Sequence, residues 1–184
     1  KRMKLTSTAL PGVLIVEPDV HADGRGFFLE TWNRREFAAA GLDVDFVQDN
    51  HSSSRRYVLR GLHYQINNPQ GKLIYVSTGS VFDVAVDLRR SSPTFGKWLG
   101  TNLSADNKKM LWIPPGFAHG LLAISEIAES HYKCTDFFNP AAERCIIWND
   151  PALNIAWPCN DPAQLLLSVK DQAGVLLKDA EVFP

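Results

Sequence analysis

The sequence predicts an all-β domain of antiparallel strands in a jelly-roll sandwich or barrel. Three observations lead there. Nine or ten short runs with strand periodicity recur at roughly 8–12-residue spacing. Gly- and Pro-containing turns separate most of them, and helical patterning is confined to two short stretches. The composition fits one globular domain spanning residues 1–184, with 45% hydrophobic and 21% charged residues. No repeat or low-complexity linker divides the chain.

Residues 12–17 (GVLIVE) read as a first strand closed by Pro18. Asp23-Gly24-Arg25-Gly26 reads as a turn. The strand after it carries Phe28 and Glu30 on one face and Phe27, Leu29 and Thr31 on the other. A solvated turn and a polar outer face account for Arg25 and Glu30 as well as a binding role does. Asn33 can cap a helix over residues 34–40 that ends at Gly41. Residues 44–48 form another short strand pattern, and the polar HSSSRR that follows reads as loop.

Strand patterning returns over residues 57–64. Here Arg60 and His63 have opposite parity, so a regular pleat sends them to opposite faces. A bulge at Gly61 would bring both to one cavity. Residues 72–76 and 81–88 flank Ser77-Thr78-Gly79-Ser80, a hairpin signal. In that register Lys72 and Asp83 lie diagonally on one face, with Phe82, Val84, Val86 and Leu88 on the core side. Further strands are expected over residues 97–103, 109–113, 121–124, 131–138 and 145–148. Ser168-Val169-Lys170-Asp171 reads as a capping box, with a short helix from about residue 172.

A net charge of -1 gives a nucleic-acid partner no electrostatic support. No apolar run approaches the roughly 20 residues of a membrane-spanning helix, and the first residues show no secretory-leader pattern. Three cysteines without paired spacing suggest free thiols in the cytoplasm.

His63, Arg60 and Lys72 on strands offer a base and fixed cations on a rigid platform. Metal chemistry is the first alternative to weigh. Metal-dependent cupin barrels resemble one another in a His-x-His pair and a Pro-x-Gly-x-x-His run. The second is present as Pro114-Pro115-Gly116-Phe117-Ala118-His119. The first is broken, because His63-Tyr64-Gln65 puts an amide where an imidazole belongs. No tight His, Cys and carboxylate cluster is expected to replace it.

Seven stretches carry a more specific resemblance: DGRGFFLETW, QDNHSSSRRYVLRGLHYQ, QGKLIYVSTGSVFDVAVDLRRSSPTFG, IPPGFAHGLLAIS, YKCTDFF, ERCIIWNDP and SVKD. In this order and spacing they resemble the dTDP-4-dehydrorhamnose 3,5-epimerase family. The resemblance implies a cupin-type jelly roll, a homodimer, and no metal or redox cofactor. The implied substrate is a dTDP-4-keto-6-deoxyhexose, epimerised at C3 and C5 in dTDP-rhamnose biosynthesis. It implies His63 as base, Asp171 as its orienting carboxylate, Lys72 as donor to the C4 oxyanion with Asp83 holding it, and Tyr132 as acid. Arg25, Phe28, Glu30, Gln48, Asp49, Asn50, Arg60, His119, Phe138, Glu143 and Lys170 match substrate-contacting positions. Phe138 stands where the family usually has Tyr, which keeps a stacking face for thymine and loses a hydroxyl. An epimerase acting at C3 alone or C5 alone, a metal-dependent cupin enzyme and a non-catalytic carbohydrate-binding jelly roll are the alternatives.

Overall fold

The computed structural model describes residues 2–184. The chain runs through β1 (Lys4–Ser7), β2 (Leu14–Glu17), β3 (Val20–Asp23), β4 (Gly26–Leu29), helix α1 (Arg34–Ala39), β5 (Gln48–Arg55), β6 (Leu59–Gln65) and β7 (Lys72–Thr78). It continues through β8 (Ser80–Asp87), β9 (Trp98–Ser104), β10 (Met110–Ile113), β11 (Phe117–Ala123), β12 (Ile127–Cys134), β13 (Glu143–Cys145) and helix α2 (Val169–Gln172). Antiparallel pairing builds a six-stranded sheet, β1-β2-β10-β7-β12-β5, and a five-stranded sheet, β13-β6-β11-β8-β9. Together they form the jelly roll that the strand count predicts. β3 and β4 make a separate two-stranded ribbon.

Three apolar layers follow from strand alternation. Ile74, Val76, Val81, Ala85, Leu111, Phe117 and Leu121 fill the space between the two large sheets. The opposite face of the five-stranded sheet presents Leu62, Val84, Val86 and Ala118 to the C-terminal segment, where Leu153, Trp157 and Phe183 cover them. On the outer face of the six-stranded sheet, Val16, Leu73, Met110 and Trp112 pack against Phe37 of α1 and against Trp32 and Phe46. β8 is therefore buried on both faces, which is why apolar residues stand at both parities along it, interrupted by Asp83.

Several local expectations hold. Asn33 caps α1 by accepting from the Glu36 backbone N–H at 3.4 Å. Gly24 and Arg25 turn the chain from β3 to β4. Ser168 caps α2, which begins at Val169, inside the capping box and earlier than expected.

Others are corrected. β1 precedes the strand expected first and pairs with it. Residues 44–47 are not a strand; the strand begins at Gln48 and runs through the polar segment expected to be loop. Glu30 lies just beyond the end of β4, not within the strand. The largest difference is at residues 77–80. β7 and β8 do not form a hairpin, because β7 pairs with β10 and β12 while β8 pairs with β11 and β9. Gly79, at φ +69°, passes the chain from one sheet to the other. A Cβ there would stand 2.0 Å from the Ile127 carbonyl oxygen, so the corner packs directly on the β11–β12 connection. Turn chemistry identified the reversal, but long-range pairing chose the partners.

Candidate active site

The site is built around an irregularity in β6. Along β11, His119 pairs with His63 and Leu121 with Arg60, so three steps on β6 face two on its partner. The extra residue is a bulge of the kind expected at Gly61, where φ is +132°. Gly61 also lies against β11 so closely that a Cβ would meet Gly120 Cα at 2.6 Å. The bulge re-aims the strand, and Arg60 and His63 both line one cavity of about 590 Å³.

His63 enters from the five-stranded sheet. Its Nε2 is 2.5 Å from Asp171 Oδ1, with the His63 side chain 22% exposed and Asp171 buried. Asp171 also accepts from Ser168 Oγ at 2.8 Å and from the Gly61 backbone N–H at 3.4 Å. Burial pushes the Asp171 pKa up, but hydrogen bonds from His63 and Ser168 with the His63 charge outweigh it, and the net shift is downward. Asp171 is therefore an anion that holds the His63 ring through Nε2.

The facing wall is the six-stranded sheet. Tyr132 on β12 and Lys72 on β7 reach the cavity from it, with the Lys72 ammonium 5.9 Å from the centre of the Tyr132 ring. Burial is the main reason the Lys72 pKa is lowered, with Cys134, Asp83 and Glu143 partly restoring it. Burial, then Cys134, raises the Tyr132 pKa, so the phenol keeps its proton through the neutral range. A base with its carboxylate thus faces a phenol and an ammonium across one space. That arrangement suits removal of a proton beside a carbonyl and its return from the opposite side.

A profile of the dTDP-4-dehydrorhamnose 3,5-epimerase family matches residues 7–179. The chain belongs to that family. It is 58% identical to the dTDP-4-dehydrorhamnose 3,5-epimerase of Pseudomonas aeruginosa, over 99% of this chain and 100% of that one. The Shigella flexneri enzyme of the same name is 54% identical over 98% of this chain and 99% of its own. Among solved structures, a dTDP-6-deoxy-D-glucose-3,5-epimerase from Legionella pneumophila in complex with dTDP-4-keto-L-rhamnose superposes with a TM-score of 0.94. That protein is 46% identical, covering 98% of this chain and 95% of its own.

Most of the residues expected in an epimerase site meet in the cavity: Arg60, His63, Lys72, His119, Tyr132 and Asp171, with Gln48, Asn50, Phe138, Glu143 and Lys170 around them. Lys170 and Glu143 form an ion pair at 2.7 Å. Arg60 is steadied by donating to Ser54 Oγ at 3.0 Å and to the Ser53 carbonyl at 3.2 Å. Gln48 accepts from the Phe138 backbone N–H at 2.8 Å, which sets that ring at the cavity mouth. Ser52, Gln70, Leu121 and Ser168 also line the space and were not expected. Ser52 had a legible signal, since it shares parity with Gln48 and Asn50, and Ser168 stands in the SVKD run.

Four expected residues lie elsewhere in the chain. Arg25 is on the β3–β4 turn, with its side chain 91% exposed and paired to Asp23 at 2.6 Å. Phe28 lies on the same ribbon and Glu30 just after it, both away from the cavity. Asp49 points out of β5 and pairs with Lys133 at 2.7 Å. Alternation explains this case, because Gln48 and Asn50 take the inward positions. Asp83 is buried and bonded to His119 Nε2 at 2.9 and 3.0 Å, so it acts on Lys72 through its charge rather than through a direct ion pair.

Gln65 explains the broken His-x-His pair. Its amide donates to the Asn68 and Phe137 carbonyls at 2.8 and 3.1 Å, and its oxygen accepts from the Asn139 N–H at 2.8 Å. The side chain clamps the loop that carries Phe138. A His, Cys and carboxylate cluster does nonetheless form, from His63, Cys145 and Asp171, contrary to expectation. It suits a metal poorly. Asp171 is already bonded to His63, Ser168 and Gly61, and burial, followed by the Asp171 charge, pushes the Cys145 thiol up to about 11.

Proposed function

We propose that this enzyme epimerises dTDP-4-keto-6-deoxy-D-glucose at C3 and C5, giving dTDP-4-keto-L-rhamnose. The observation that carries the reading is the cavity with the His63–Asp171 pair on one wall and Tyr132 with Lys72 on the other. The C4 ketone acidifies the protons on C3 and C5. His63 takes one proton through Nδ1 while the C–H electron pair becomes part of a C=C bond and O4 becomes an oxyanion. Asp171 stabilises the imidazolium so formed. Lys72 donates to O4, and Tyr132 returns a proton to the carbon from the opposite face. Each cycle removes one proton and adds one, so no electron acceptor is required.

The remaining lining residues fit the rest of such a substrate. Arg60 and Lys170 suit the diphosphate, and Phe138 offers a face for thymine. His119, Gln48, Asn50 and Glu143 supply polar contacts. We further propose a homodimer. The β3–β4 ribbon pairs with no other strand among the described residues, and it leaves Phe27 and Phe28 61% and 68% exposed. A second copy packed on this ribbon would bury both rings. It would also bring Arg25, Phe28 and Glu30 to a neighbouring cavity that their own chain denies them.

Proton NMR of the substrate in D₂O tests the reaction. Deuterium is expected at both C3 and C5 with native enzyme and no added metal. His63→Ala should lower the exchange rate by about 10²–10⁴-fold. Exchange at one carbon alone would make the enzyme a mono-epimerase. Undiminished exchange in the variant would remove His63 as base.

A further inference from the structure

On the outer face of the six-stranded sheet, away from the cavity, three rings stack across three strands. Tyr75 on β7, His131 on β12 and His51 on β5 are direct cross-strand partners. The His131 ring lies 4.9 Å from Tyr75 at an interplanar angle of 9°, and 4.2 Å from His51 at 14°. Glu129 shares this face, two residues before His131, and its Oε2 is 3.2 Å from His51 Nε2. The other anchoring contact is Ser77 Oγ, 2.8 Å from His131 Nε2.

Residues i and i+2 of one strand, with the direct partner of one of them on the next strand, project three side chains from one side of a rigid sheet. Here those chains end in two imidazoles and a carboxylate, whose donor atoms all lie within 4.8 Å of one another. A tetrahedral zinc ion with ligands at about 2.0–2.2 Å holds its donors roughly 3.5 Å apart. Coordination requires the His51 and His131 rings to swing out of their stack, because the in-plane lone pairs of near-parallel rings do not meet at one ion. Two imidazoles with one carboxylate suit zinc, copper or nickel rather than magnesium or calcium. The group is reachable, with the His51 side chain 54% exposed and Glu129 36% exposed. None of its members belongs to the proposed reaction, and Tyr132 beside His131 points to the opposite face.

We propose that His51, Glu129 and His131 form a divalent transition-metal site of the zinc class, which clips the edge strand β5 to β12. The clip has a structural consequence. β5 supplies Gln48, Asn50 and Ser52 to the cavity wall from its inward face, and among the described residues its strand pairing is on one side only, to β12. A metal bridge on the outward face stiffens that wall without entering the cavity.

Calorimetric titration of chelator-treated protein with zinc chloride tests the site, together with thermal melts in the absence and presence of zinc. Native protein, His51→Ala, His131→Ala and Cys145→Ala are compared. One zinc per chain is expected in native protein and Cys145→Ala, and zinc raises the melting temperature of both. Either histidine variant should bind at least about 10–100-fold more weakly, the range that loss of a mere supporting partner already produces. Unchanged metal-free melting temperatures show that these variants are folded. Absence of stoichiometric zinc binding, or binding that survives loss of either histidine, would overturn the proposal. So would binding abolished by Cys145→Ala, which would place the ion at His63, Cys145 and Asp171 instead.

Discussion

His63 meets Asp171 through Nε2 at 2.5 Å, and this single contact assigns work to both nitrogens of the ring. One is held by an anion, and in the proposed reaction the other takes the substrate proton. Tyr132 stands on the facing sheet with its pKa raised, so it keeps the proton that its proposed role as acid needs. Tyr132→Phe should therefore separate two events. Deuterium exchange at C3 and C5 persists, because His63 still removes and returns protons on its own face. Inversion, read from the ring coupling constants, falls by about 10²-fold or more. Loss of exchange and inversion together would give Tyr132 some other role. Lys72 sets a pH limit. In the role proposed for it, stabilising O4, it must be charged, and burial lowers its pKa below the ordinary 10.5. Its charge is complete well below that lowered value and is lost as pH rises through it. The kcat/KM profile should thus fall on the alkaline side at a pH below 10.5, and Lys72→Met should lack that limb. A limb at or above the ordinary value would exclude Lys72.

The elements decide what these residues can reach. β6 presents Arg60 and His63 together only because Gly61 takes a left-handed conformation in the bulge. Gly61→Ala places a Cβ 2.6 Å from Gly120 Cα and 3.0 Å from the His119 carbonyl oxygen. The backbone conformation alone should cost about 1–3 kcal/mol. Denaturant midpoints should fall accordingly, and kcat should drop while KM rises, because base and guanidinium move together. A variant that loses stability but keeps native kinetics would show that the bulge does not position the pair. β5 shows why one wall of the site was hard to read. Its inward residues, Gln48, Asn50 and Ser52, face a polar cavity, and its outward residues are also polar, so hydrophobic periodicity vanishes over a real strand. The bulge was legible because two functional side chains of opposite parity flanked a glycine. The β7–β8 corner was not, because a turn signal is silent about which sheet each arm joins.

At the scale of the whole molecule, the proposed dimer predicts complementation. Neither Arg25→Ala nor His63→Ala alone has an intact site if each cavity takes Arg25 from the neighbouring copy. Unfolding and refolding the two variants together at equal concentration should restore about one quarter of the native activity, through mixed dimers with one native site each. Activity no greater than that of the variants kept apart would sink the shared site. The sequence by itself determined the jelly-roll class, the epimerase family and the chemical groups proposed for the reaction, because short runs such as RGLHYQ and SVKD need only local order to be recognised. The tertiary structure decided which groups share a space. It seated Asp83 on His119 rather than Lys72, turned Asp49 outward and left Arg25, Phe28 and Glu30 outside their own cavity. The physical reason is that alternation and turn chemistry report the faces of a strand and the reversals of the chain. Partner choice and sheet membership depend on packing between residues far apart in sequence.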